Sequence, residues 1–279
     1  METAESIKNL VKEKYAAIAM QSTAENKSSC CGAGGCTTEV YSIMSDDYSK
    51  LEGYHEGADL GLGCGLPTEF AQIKKGDTVF DLGSGAGNDC FVARSLVGET
   101  GKVVGIDMTE TMIEKARENA EKLNFHNVEF RLGEIEKIPS GPDRADVIVS
   151  NCVLNLVPDK SKAFDEIFRV LKPGGHFSIS DVVLEGELPL ALKSASEMYV
   201  GCVAGATQKD EYLAIIKSAG FTNIKIQKEK TILIPDDILI AYLNPTEIEN
   251  MKHTKARILS ITVYAEKASS CCDKDVCCK

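Results

Sequence analysis

Apolar side chains at Ile7, Leu10, Val11, Tyr15 and Ile18 recur at steps of three and four, so residues 2–20 are predicted to form a helix with one apolar face. From Gln21 to about Ser45 the chain turns to Ser, Thr, Gly and Cys, which is loop chemistry. The period then changes. "DTVFDLG" (77–83), "KVVGID" (102–107), "VEFRLG" (128–133), "ADVIVS" (145–150) and "GGHFSISDVV" (174–183, after the Pro173-Gly174 turn) are short runs rich in Val, Ile and Phe that read as buried strands. Between them lie helical patterns: "NDCFVARSLV" from Asn88, "TETMIEKARENAEKL" with Thr109 placed to cap its N-terminus, and "SKAFDEIFRVLK". Strand and helix thus alternate through residues 77–183, as in an α/β domain whose doubly wound, mostly parallel sheet is built by crossover helices.

Beyond the fifth strand, "LPLALKSASEMYVGCVAGA" reads as helical and "KDEYLAIIKSAGF" as a helix ending at Gly220. "TNIKIQKEK" and "KARILSITVYAEK" alternate like an antiparallel pair closing the sheet edge, with residues 231–254 inserted between them. Four segments follow: 1–45, an N-terminal helix and Cys-rich loop; 46–183, the core; 184–267, a smaller helical and strand appendage; and 268–279, a flexible Cys-rich tail.

Composition narrows the partners. With 42 acidic against 31 basic residues the net charge is -11, and no cluster of Lys and Arg interleaves with aromatics, so nucleic acid is not an expected partner. No apolar run approaches the roughly 18–20 residues of a membrane span. Residues 1–20 lack the apolar centre of a secretion signal, and the reading is a cytoplasmic protein for which nothing demands more than a monomer. Eleven cysteines are many for such a chain, and their odd number argues against a secreted disulfide scaffold. They form three sets: Cys30, Cys31 and Cys36; Cys64, Cys90, Cys152 and Cys202; and Cys271, Cys272, Cys277 and Cys278. No CxxC pair repeats at zinc-finger spacing.

"FDLGSGAGND" places the acidic Asp81 at the end of a strand and then Gly83, Ser84, Gly85 and Gly87 in a tight turn opening a helix, at the strand edge where such sheets bind ligands. The G-x-G-x-G spacing with an acidic lead favours S-adenosylmethionine over a dinucleotide, whose pyrophosphate needs a helix N-terminus. Asp107, twenty residues past Gly87 (107 − 87), is placed to accept from both ribose hydroxyls, with Met108 beside it. With "SN" ending the fourth strand and "LKPGG" opening the fifth, the pattern resembles class I methyltransferases, a Rossmann-like fold. That resemblance implies that Glu134 and Ile135 flank the adenine and that Asn151 faces the methionine end.

Cys64, in "GADLGLGCGLP", Cys152, directly after Asn151, and Cys202, in "MYVGCVAGA", sit in settings where Gly61, Gly63, Gly65, Gly201 and Gly205 are poor core fillers but let backbone come close to something. Each alone reads as a small buried hydrophobe. Together "EGADLGLGCG", "DLGSGAGNDCF", "GIDMTETMIEKAREN", "SNCVLNLVPDK", "RVLKPGG", "SDVVL" and "YVGCVAGA" resemble the arsenite methyltransferase family from about Val11 to Phe221. The resemblance implies that Cys64, Cys152 and Cys202 bind As(III) as thiolates, with an N-terminal fourth drawn from Cys36, Cys30 or Cys31. It implies methylarsenite and then the dimethyl species as products, arsenite or its thiol conjugates as substrate, and a thiol reductant, thioredoxin or glutathione, for turnover. His55 and Leu66 depart from the family, which often has proline and asparagine there.

Trivalent arsenic is soft and suits thiolates. It carries no proton to remove, so no base is called for. Cys90 reads as a core residue, and the terminal Cys pairs as arsenic capture, zinc or copper binding, or neither. Two rivals stand beside this reading: a small-molecule C- or O-methyltransferase with structural cysteines, which needs a carboxylate or His near the methyl although His176 reads as packed in its strand, and a thiol-rich metal(loid) buffer without turnover.

Overall fold

The structure, a computed structural model, describes residues 4–20, 46–194, 205–253 and 256–269. The described residues form a seven-stranded sheet ordered β3-β2-β1-β4-β5-β7-β6. In chain order the elements are α1 (Ala4–Met20), a 3-10 turn at Glu56–Ala58, α2 (Pro67–Phe70), β1 (Thr78–Leu82), α3 (Asn88–Val97), β2 (Lys102–Asp107), α4 (Glu110–Lys122), β3 (Val128–Leu132) and β4 (Ala145–Asn151). A second 3-10 turn (Leu154–Leu156) follows, then α5 (Lys160–Val170), β5 (Leu171–Glu185), α6 (Leu190–Ser194), α7 (Lys209–Ser218), β6 (Thr222–Ile232), α8 (Asp236–Leu239), α9 (Pro245–His253) and β7 (Arg257–Glu266).

Neighbouring residues in the central strands face opposite cores, which explains their unbroken apolar runs. Val79, Val103 and Val147 pack with Phe91 and Val97 of α3 and Ile113 and Ala116 of α4. Phe80, Val104 and Ile148, one position on, pack on the other face with Phe164 and Ile167 of α5 and Tyr212 and Ile216 of α7. Each such side chain contributes about 1.5–3 kcal/mol by full burial. The predicted closing pair is present: β7 lies antiparallel between β5 and β6. β6 is the mostly exposed edge, and Lys225, Lys228 and Lys230 along it discourage pairing with another chain.

Three expectations change. The fifth strand begins at Leu171 rather than after the Pro173-Gly174 turn, because Leu171 already pairs with Ala145 of β4 and bonds from Gly174 N–H to Lys267 O and from Lys267 N–H to Gly175 O carry the ladder across the turn. Residues 231–254 contain two short helices, α8 and α9. Thr109 stands at the N-cap of α4, but its hydroxyl does not cap the helix; the Asp107 carboxylate beside it takes that hydroxyl and the Thr109 N–H at 2.8 Å. No helix among the described residues is long and apolar enough to cross a membrane.

Candidate active site

The strand order reverses between β1 and β4, and a cleft with about 1100 Å3 of open space lies over the carboxyl ends of the strands at that switch point. Its floor is the turn after β1. Gly83 and Ser84 donate their N–H groups to Ile106 O at 2.7 and 3.0 Å, and Gly83, Gly85 and Gly87 all take positive φ. A Cβ on Gly85 would meet nothing within 4 Å, so this stretch of backbone faces the open cleft. Asp107 closes one side: its carboxylate accepts from Gly85 N–H at 3.0 Å and from Thr109 N–H, and burial pushes its pKa up against those bonds.

Gly83, Ser84, Gly85, Asp107, Met108, Glu134, Ile135, Asn151 and Cys152, all singled out from sequence, line this cleft. Asp81 and Gly87 stand one layer behind it. The Asp81 carboxylate accepts from Cys90 Sγ at 3.1 Å rather than facing a ligand, because the chain turns away at Gly83 and leaves Asp81 2 % exposed. Cys90 is buried as expected, and burial with Asp81 beside it holds the thiol protonated, its pKa raised well above the usual value. Gly87 is a packing glycine, since a Cβ there would stand 2.8 Å from the Phe91 ring. His176 turns from the cleft, its Nε2–H donating to Ala71 O at 2.6 Å.

The Gly-Cys-Gly loop explains itself around one amide. Asn151 Oδ1 accepts from Cys64 N–H at 3.0 Å, and its Nδ2 donates to Gly65 O at 2.9 Å. A Cβ on Gly63 would stand 2.6 Å from that Nδ2, and one on Gly65 2.5 Å from Ser180 Oγ. The glycines therefore let the loop close on Asn151 and Ser180. Ser260 Oγ donates to Cys64 O, so the cysteine is pinned at both backbone groups. Cys64 (0 % exposed) and Cys152 (2 %) belong to one buried cluster. Leu192 and Ala206, described residues on either side of Cys202, pack in the same cluster. Cys202, Cys30, Cys31, Cys36 and the tail cysteines lie outside the described residues.

Several contributors carry no sequence signal of their own. Tyr48 OH donates to Asp89 at 2.9 Å and accepts from Asn151 Nδ2, forming a buried triad at the cleft wall. Burial pushes Asp89 up to about 6, against bonds from Asn151 and Tyr48 and with Asp59 adding to the rise. Asp81, buried beside Asp89, sits higher still. Across the top, α1 presents Lys8, Val11 and Tyr15, and Lys8 Nζ pairs with Glu134 at 2.7 Å and with Glu136. The apolar face read in residues 2–20 is thus a roof. Among the described lining residues, Asp59, Asp89, Asp107, Glu134 and Glu136 outnumber the single cation Lys8, so the cleft suits a ligand bearing positive charge.

Residues 73–220 match a family model described as a methyltransferase domain. The chain is 43% identical over 247 residues to an arsenite methyltransferase of Halobacterium salinarum, covering 83% of this chain and 62% of that protein. It is 34% identical over 236 residues to an arsenite methyltransferase of Aquipseudomonas alcaligenes, covering 82% and 66%. It also superposes on the crystal structure of an arsenic(III) S-adenosylmethionine methyltransferase from Chlamydomonas reinhardtii with a TM-score of 0.64 at 32% identity, covering 85% of this chain and 76% of that one. The chain spans 62% and 66% of the length of the two curated relatives.

Proposed function

The chain belongs to the arsenic(III) S-adenosylmethionine methyltransferase family, and on that premise we propose that it methylates arsenite, bound as thiolate, to methylarsenite and then dimethylarsenite. The observation that carries this reading is the Asn151 amide: it ties the Cys64 loop to the strand end that bears Cys152, beside the cleft.

The cleft fits the cofactor. Ser84 Oγ and Asn88 Oδ1 are buried in its wall without a hydrogen-bond partner among the described residues, and such atoms cost about 1–3 kcal/mol each unless a ligand satisfies them. Asp107 would hold the ribose, Glu134 and Ile135 the adenine, and Asn151 the methionine end, with the backbone of Gly83–Gly87 close beneath. Bound there, S-adenosylmethionine supplies a methyl group on a cationic sulfur.

Cys64, Cys152 and Cys202 would hold arsenic as a three-sulfur pyramid, leaving its lone pair free, and fixing that approach contributes on the order of 7–11 kcal/mol. No side chain needs to take a proton in the transfer. Turnover calls for a thiol reductant, thioredoxin or glutathione, because adding a methyl cation to the lone pair formally oxidises arsenic. The cytoplasm supplies that reducing chemistry.

Incubating the protein with S-adenosylmethionine, arsenite and a thiol reductant and separating the arsenic species by chromatography tests the activity. Methylated arsenic is the expected product, and its absence from folded, reduced protein rejects the reading. Deleting residues 268–279 is expected to leave turnover within about twofold, a barrier change of about 0.4 kcal/mol; a dead truncation would assign the tail to the site.

Binding should depend on pH. A sulfonium near Asp89 favours its ionised form, so binding releases the proton that Asp89 keeps below about 6. Affinity for S-adenosylmethionine is therefore expected to weaken as pH falls through about 6, while its demethylated product, whose sulfur is neutral, gives a flatter profile. Calorimetric titration of both ligands across that range checks the difference; parallel profiles would remove Asp89 from the sulfonium's surroundings.

A further inference from the structure

Cys152 has φ +59, in the left-handed region, which costs a residue with a Cβ roughly 1–2 kcal/mol. Such outliers persist only where the surroundings hold them. Part of the restraint is the Cys152 N–H, which donates to Ser180 O at 2.8 Å. The rest lies three residues on, in the 3-10 turn.

There the peptide groups of Asn155 are gripped from both sides. Its N–H donates to the Asp181 carboxylate. Its C=O accepts from Lys160 Nζ at 3.1 Å, and the same ammonium bonds Val157 O at 3.2 Å. Asp181 is itself fixed by Val182 N–H at 3.0 Å and by Tyr212 OH at 3.1 Å. Both charged groups are buried, Asp181 fully and Lys160 with 8 % exposure. Burial pushes the Asp181 carboxyl up to about 7, with the Lys160 charge opposing. Buried charges of this kind contribute little to stability compared with apolar replacements of the same volume, so their use here is to fix a position. What they fix is the wall of the cleft: Val153, Leu156 and Val157 of this turn line it next to Cys152.

We propose that Asp181 and Lys160 are positioning residues that clamp the Asn155 peptide and so hold Cys152 in its left-handed conformation, with its thiol presented for arsenic binding. The clamp rests on the reading of Cys152 as an arsenic ligand.

The test compares wild type with Asp181→Asn, which keeps the volume but removes one acceptor, and Lys160→Met, which removes the cation. For both, kcat/KM for arsenite is expected to fall about 10–100-fold, the usual cost of losing a group that orients a ligand, while the Kd for S-adenosylmethionine stays within about threefold, or roughly 0.7 kcal/mol. Lys160→Arg, which can still reach both carbonyls, is expected to recover most of the loss. A second readout does not depend on arsenic: peptide-mapped alkylation of Cys152 should change about fivefold or more in Asp181→Asn, the effect of about 1 kcal/mol, with Cys64 and Cys90 as unchanged internal references. Wild-type values for arsenite kinetics and for Cys152 alkylation in both folded variants would overturn the clamp. Wild-type protein that binds no arsenite, with Cys152 alkylation still altered in Asp181→Asn, would retire the arsenic reading and leave the clamp in place.

Discussion

Replacing Cys152 by serine is expected to leave less than about one-hundredth of the wild-type rate of arsenite methylation, a larger loss than the 10–100-fold seen when groups behind a ligand are removed. The substitution keeps the size of the side chain and leaves the N–H bond to Ser180 O untouched, so the turn should stay as it is, while a hydroxyl in the buried cluster costs about 1–3 kcal/mol and lowers the melting temperature by several degrees. What changes is the donor atom. A hydroxyl is a hard ligand that stays protonated near neutrality, whereas a thiolate is soft and matches As(III). Cys64→Ser and Cys202→Ser should behave alike, because a three-sulfur pyramid has no spare member. Arsenic speciation alongside a thermal melt checks this. A Cys152→Ser protein that folds normally and retains a tenth or more of wild-type activity, a barrier change of only about 1.4 kcal/mol, would show that sulfur at this position is not part of the reaction.

The second large effect is on the fold at the cleft floor. Gly83→Ala is expected to lower the melting temperature by roughly 5–20 °C and to abolish cofactor binding. Gly83 has φ +74, and a Cβ there would overlap both methyls of Val153. The left-handed backbone costs about 1–2 kcal/mol for alanine, and forcing Val153 aside adds about 1–3 kcal/mol. Each kcal/mol lowers the midpoint of a domain of this size by roughly 2–4 °C. The neighbouring Gly85→Ala is the control, since its φ of +51 is also left-handed but its Cβ meets nothing within 4 Å in the protein. It should carry the backbone cost alone, about 1–2 kcal/mol, and so melt above Gly83→Ala, while weakening the cofactor, whose place the methyl would enter. Equal melting temperatures for the two variants would mean that the turns after β1 and β4 do not interlock as described.

The sheet was legible because both its faces are buried: Val79-Phe80, Val103-Val104 and Val147-Ile148 advertise strands that can lie only in the middle of a wound fold. The glycine turn and Asp107 were legible for a similar reason, as they combine a backbone requirement with a fixed distance from a strand. Reading the Gly-Cys-Gly loop as a place of close approach was sound, although what approaches is Asn151 and Ser180. The N-cap at Thr109 was placed correctly and its bond was not, because the choice between its own helix and the Asp107 carboxylate depends on how the strand end is aimed. Asp81 carried the acidic signature without facing the cleft. Tyr48, Asp89, Lys160 and Asp181 escaped notice altogether. The partners of Tyr48, Asp89 and Asp181 lie tens of residues away, 41 for Tyr48 and Asp89 and 31 for Tyr212 and Asp181, and a contact of that kind leaves no period along the chain, while Lys160 turns back on carbonyls 5 and 3 residues before it, bonds to backbone that no residue pattern marks.

The roof formed by α1 has a practical corollary for anyone cutting this polypeptide. A fragment trimmed to residues 73–220, the stretch recognised as a methyltransferase domain, would start after Lys8, Val11, Tyr15, Tyr48 and Cys64 and stop before β7. It would keep the trough proposed to hold the methyl donor and discard its cover, one of the sulfurs proposed to bind arsenic and the strand that seals β5. The part of the chain that is easiest to recognise thus keeps Cys152 and Cys202, while the third proposed thiolate and the cover of the cleft lie in what flanks it.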